Sequence, residues 1–151
     1  MESIRAGEGI TSHIDGYGGD AVPGGLRSPI LWRVLSALLL LAMGGIHLYL
    51  VFDGVGGVLG VLFLLNALGG LVLAIAMIAA PRRFQLLASV LGLLFLAGTL
   101  LALVLALTVG LFGITETLSF TLVPTTLVVE SIGIIVLAVT TALTFRMQRS
   151  R

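Results

Sequence analysis

Cysteine and lysine are both missing from this sequence, and charge of either sign is scarce. Without cysteine there can be no disulfide, thiolate metal site, thiol redox chemistry or palmitoyl attachment. The eight basic residues are all arginines, and with seven acids they leave a net charge of +1. That balance gives no electrostatic footprint for nucleic acid, so nucleic acid is not an expected partner. Charged residues make up 10% of the chain, against roughly 25% in an ordinary soluble domain. The first 28 residues hold seven glycines and no apolar run, so they contain nothing like the core of a cleavable signal peptide.

What the chain does have is apolar length. It is 58% hydrophobic with a mean hydropathy of +1.21. Four apolar blocks, at about 30–52, 55–80, 84–112 and 120–145, each reach the ~20 residues that cross a ~30 Å hydrocarbon core. A spanning strand would need only ~10 alternating residues, so these blocks read as helices. The expected fold is all-α: a polytopic four-transmembrane-helix up-down bundle over 29–147. Residues 1–28 are polar and Gly-rich, a composition that cannot bury enough apolar surface to order itself, and read as a flexible cytoplasmic tail. Residues 148–151 read as a short cytoplasmic tail. The first block reads as an uncleaved signal anchor.

The arginines set the expected direction. Arg5, Arg27 and Arg33 precede or begin the first helix, Arg82 and Arg83 separate the second and third, and Arg146, Arg149 and Arg151 end the chain. The other two loops offer only Asp53 and Glu116. The positive-inside rule then puts both termini in the cytoplasm of a cell carrying the protein in its plasma membrane.

Helices in lipid associate where small residues let backbones approach. Gly98, Ala102, Ala106 and Gly110 recur at strict four-residue spacing on the third helix and read as a packing face. It serves either the bundle or a homo-oligomer. A faint repeat with an offset of 64 aligns Asn66 with Glu130 and Gly69 with Gly133.

Three polar residues lie within the apolar blocks: His47, Asn66 and Glu130. An acid mid-helix costs ~2.5–3.5 kcal/mol on insertion scales and should face the bundle interior. At ~1.5 Å per residue, Glu130 and Asn66 both lie about 15 Å from the outer end, and His47 about one turn farther out. Thr126, one turn from Glu130 on the same face, and Thr99 on the third helix can complete the set. One reading is a polar pocket opening outward, with Glu130 as proton or cation acceptor, His47 as its partner and Asn66 as orienting donor. The other is interhelical glue, with Glu130 protonated or bonded to Asn66 and His47. Asp53 and Glu116 read as solvated loop residues or a weak cation site.

Catalytic and cofactor patterns are missing. There is no Ser/His/Asp set, no His-Glu-x-x-His and no phosphate-binding glycine motif. A two-histidine haem would need a second membrane histidine, and His13 lies in the tail. No cofactor, no metal and no enzyme activity are expected, and the lipid bilayer is the expected partner.

At Gly45-Ile46-His47-Leu48-Tyr49-Leu50, Gly60-Val61-Leu62-Phe63-Leu64-Leu65-Asn66, Gly110-Leu111-Phe112-Gly113 and Glu130-Ser131 the chain resembles small four-helix integral membrane proteins of actinobacteria. That resemblance implies the fold and no activity. The expected function is therefore a non-enzymatic accessory, scaffolding or oligomerising membrane protein. The alternative is a small proton-, cation- or solute-transporting protein working around Glu130.

Overall fold

The computed structural model describes residues 29–110, 115, 117–119 and 122–150. The tail at 1–28, residues 111–114, 116, 120 and 121 of the loop before the last helix, and residue 151 lie outside them. Among the described residues there are four helices and no strand: α1 (Pro29–Phe52), α2 (Gly57–Ala79), α3 (Arg82–Thr108) and α4 (Val123–Arg149). Each is long and apolar enough to cross a membrane. The helices pack in the ring α2–α1–α4–α3, with α1–α2 the most extensive seam and α2–α3 the least. One end of the bundle carries the start of α1, the α2–α3 connection and the end of α4, together with all the described arginines. We refer to it as the arginine end.

Local chemistry sets the helix ends and corrects the expected boundaries. The α1–α2 turn needs Gly54 at φ +100° and Gly57 at φ +63°, so α2 begins two residues later than its apolar block. Ala80 precedes Pro81, which forces it into extended backbone (ψ 134°) and ends α2. α3 stops at Thr108 rather than at 112. Gly110 takes φ +82°, and its N–H donates back to Leu105 O at 2.9 Å, a glycine stop that satisfies an end carbonyl. α4 starts at Val123 rather than 120, because Pro124 is suited to the first helical turn and to nowhere deeper. It continues to Arg149 rather than 145, so Gln148 and Arg149 belong to the helix and not to a tail.

The interior faces follow a spacing of alternating three and four residues. On α1 it runs Ser36, Leu40, Met43, His47, Leu50, and on α4 Val123, Thr126, Glu130, Gly133, Leu137, Thr140, Thr144; all of these are buried. This 3.5-residue repeat keeps one seam turned toward a partner over many turns. Small residues sit where the helices come closest. A side chain at Gly70 would meet Leu40 O at 2.8 Å, and one at Gly44 would meet Ala67 O at 3.2 Å. Gly92 is covered by Leu137 and Leu40, and Gly133 by Leu96.

The expected stripe on α3 is not one face. Ala106 is buried, Ala102 is half-buried, and Gly98 is exposed with nothing within 4 Å of where a Cβ would stand. Gly110 lies past the helix end. A strict four-residue spacing drifts by about 40° per step around an α-helix, so the stripe winds from the outside at Gly98 to the interior at Ala106. The repeat with an offset of 64 does not carry over to the packing. Glu130 lies on the interior seam of α4, whereas Asn66 stands one position off that of α2, which runs Gly60, Phe63, Ala67, Gly70, Ala74, Met77.

Candidate functional site

The contacts between neighbouring helices set the heights of the polar side chains. Gly92 faces Leu137 and Gly133 faces Leu96. Three residues farther along α3 and three back along α4, Thr99 stands opposite Glu130. On α1, Ser36 meets Thr140; ten residues on and ten back, the level of Glu130 falls at Ile46, beside His47. On α2, Gly69 is covered by Phe95, which puts Asn66 level with Gly98. Asn66, Thr99, Glu130 and His47 thus share one layer to within about a turn, with Thr126 one turn farther from the arginine end. Because α4 begins at Val123, Glu130 lies seven residues, or roughly 10 Å, from the helix start, nearer the end than the sequence alone implied.

Glu130 is 1% exposed, and neither carboxyl oxygen has a hydrogen-bond partner among the described residues. Thr99 is its polar neighbour across the α3–α4 seam. A hydroxyl has one hydrogen, however, and that of Thr99 goes to Leu96 O at 3.0 Å. Thr126 donates to Leu122 O at 2.9 Å. His47 is held by Met43 O, 3.0 Å from Nδ1, and its ring meets Phe63 edge-on at 4.9 Å. Asn66 is half-buried and forms no hydrogen bond among the described residues. Of the two forms of the glue reading, the bonds from Glu130 to Asn66 and His47 are not made among the described residues, which leaves the protonated acid beside Thr99.

Asp53 is exposed in the α1–α2 turn, while Glu116 and His13 lie outside the described residues. No group of three or more His, Asp or Glu side chains that could hold a metal ion occurs among the described residues.

Sequence reasoning missed a second polar layer. Ser36, Ser89 and Thr140 are almost completely buried at one height nearer the arginine end. The Thr140 hydroxyl donates to Val136 O at 2.8 Å, so the Ser36 hydroxyl is the donor in the 2.9 Å bond to Thr140 Oγ1. Leu40, Leu96 and Leu137, all fully buried, separate this layer from Glu130. The 3.5-residue spacing through Thr126, Glu130, Gly133, Leu137, Thr140 and Thr144 was the available signal. Arg33 was also missed as a structural group. Its Nε donates to Met77 O at 2.9 Å and its Nη2 to Ile78 O at 2.8 Å, so it caps the end of α2. The Gln85 amide, turned with its oxygen toward the guanidinium, accepts at 2.6 and 2.9 Å and ties in α3.

No protein-family model, curated protein or solved structure matches the chain.

Proposed function

We propose that this is a non-enzymatic, multi-pass protein of the cell membrane with both termini in the cytoplasm, and that it carries a proton, a cation or a small solute with Glu130 as its loading group. The observation behind this reading is the carboxyl of Glu130, fully buried and without a hydrogen-bond partner among the described residues. An acid in the membrane interior is expensive and faces the bundle or a pathway when it is functional. Glue in the form of an ionised Glu130 bonded to Asn66 and His47 would have found donors among the described residues, and it has none. The arginine end, with Arg33, Arg82, Arg83, Arg146 and Arg149, is then the cytoplasmic end, and Glu130 sits in the outer half. The test is proton or solute flux in proteoliposomes. Wild type should exceed protein-free vesicles several-fold, and Glu130→Gln should fall to their level with unchanged helicity and elution. Flux equal in Glu130→Gln and wild type would remove Glu130 from the pathway.

A second reading, an accessory or homo-oligomerising membrane protein, is supported by the open space at Gly45 and Gly98 on the outside of the bundle. Such glycines permit close approach of a helix from another chain. Gly98→Leu and Gly45→Leu should then shift cross-linking or elution toward monomer. Unchanged assembly in both would count against this reading.

A further inference from the structure

We propose that the layer around Glu130 is a site for a small monovalent cation, inorganic or ammonium, exchanged one for one with the Glu130 proton; this rests on the reading of Glu130 as the loading group. The reasoning starts from which atoms at this height still have a hydrogen to give. Thr99 spends its hydroxyl hydrogen on Leu96 O at 3.0 Å, and Thr126 spends its own on Leu122 O at 2.9 Å. Met43 O can only accept, so His47 carries its hydrogen on Nδ1 and donates it there at 3.0 Å. In the neutral ring Nε2 is then left with a lone pair. The two Glu130 oxygens receive nothing from the described residues. Once Glu130 has given up its proton, both hydroxyl oxygens, both carboxyl oxygens and, within about a turn, a ring nitrogen therefore present lone pairs and no donor. The Asn66 amide, level with Gly98 and half-buried, has an oxygen that can add to the set; its NH2 carries the unspent hydrogens at this height.

A complementary ligand must be a cation or donate only. An anion would meet the carboxyl, hydroxyl and ring-nitrogen lone pairs with the Asn66 NH2 alone to donate to it, and a neutral solute would leave most of its own acceptors unpaired. Valence follows from charge. Glu130 is the one acid at this height among the described residues, and there is no cluster of three or more His, Asp or Glu for a multivalent metal. A divalent ion would leave one uncompensated charge in a medium where that is costly, whereas a monovalent ion is neutralised. Size follows from closure: with Glu130 1% exposed, the layer suits a dehydrated ion rather than a bulky one. The exchange balances as the carboxylic acid plus the cation giving the carboxylate–cation pair plus a released proton. The net charge of the layer does not change. Of the titratable or charged groups on the helices packed against α4, His47 on α1 is at this height. Tyr49 on α1 is exposed, and Arg33, Arg82 and Arg83 lie toward the arginine end.

The experiment is proton release from the detergent-solubilised full chain in weak buffer, followed with a pH-indicator dye. Sodium, potassium and ammonium chloride are titrated against choline chloride and magnesium chloride. We expect saturable release approaching one proton per chain for at least one of the three small cations and none for choline or magnesium. Glu130→Gln should abolish it. Thr126→Val should weaken the half-saturating concentration tenfold or more, and Thr126→Ser should restore it. Should Glu130→Gln fail to fold, Thr99→Val and the Thr126 pair carry the same test. No release by any small cation, or equal release by choline or magnesium, overturns the proposal. If Glu130-dependent flux in proteoliposomes persists in that case, the loading-group reading stands and only the cation site falls. If the flux is absent as well, both fall.

Discussion

Glu130 and Arg33 are the two polar side chains that set this bundle apart, and they solve the same problem in opposite ways. Arg33 meets its cost by giving its donors to carbonyls that end α2 and to Gln85. A charged donor on an otherwise unsatisfied helix end stabilises by about 1–2 kcal/mol for a partly exposed group. Arg33→Ala should therefore lower the thermal midpoint in detergent, and Arg33→Lys, which lacks the planar fork, should recover only part of the loss. Glu130 leaves its cost unmet. Glu130→Leu should raise stability by about 1–3 kcal/mol, the penalty of a buried polar group without partners, while removing any flux. Gain of stability with loss of activity is what a functional residue predicts. A loss of stability in Glu130→Leu would reveal hydrogen bonds that the described residues do not provide. At this scale the sequence was readable for identity and not for partners. His47, Asn66 and Glu130 stood out as polar letters in apolar blocks, but whether their atoms meet depends on χ angles and on helix rotation. Spacing along one chain does not determine either.

The helices themselves were legible because twenty or more apolar residues leave the backbone no other way to satisfy itself in lipid. Their ends were less so. A run of apolar residues continues through Gly110 and begins before Pro124, but the backbone obeys the glycine and the proline rather than the hydropathy. The small-residue stripe on α3 misled because four-residue spacing is close to the helical repeat without matching it. The 3.5-residue seam, present in α1, α2 and α4 and in α3 at Ser89, Gly92 and Leu96, was the better guide. Two substitutions separate the two kinds of glycine. Gly70→Ala places a Cβ against Leu40 O at 2.8 Å, and backbone cannot step aside as a side chain can. It should cost about 1–3 kcal/mol, of the order seen for overpacking. Gly98→Ala meets nothing within 4 Å and should be neutral or gain up to about 1 kcal/mol from the reduced freedom of the unfolded chain. Both are read from thermal or denaturant midpoints in one detergent. A gain at Gly70 would contradict the packing, and a clear loss at Gly98 would point to a neighbour from a second chain.

For the molecule as a whole, the missing cysteines become an experimental asset. Asp53→Cys and Ser150→Cys each introduce a single thiol at opposite ends of the bundle, both at exposed positions. If both termini are cytoplasmic, as proposed, a membrane-impermeant maleimide added to intact cells should label the Asp53→Cys variant and spare the Ser150→Cys variant until the membrane is opened. The reverse pattern would invert the molecule. The layered interior has a further consequence. Glu130 lies roughly 10 Å inside the start of α4, and Leu40, Leu96 and Leu137 fill the interior between it and Ser36, Ser89 and Thr140. The steepest part of the transmembrane voltage should fall across that leucine layer. In the proposed orientation and with Glu130 as the loading group, an ion arriving from the outer water would cross only a fraction of the field, roughly a third. At ~2.3 kcal/mol per charge per 100 mV, that is about 0.8 kcal/mol, close to a fourfold change in occupancy for each 100 mV. The bundle would thus sense membrane potential without a row of gating arginines, through the depth at which a single carboxyl is set.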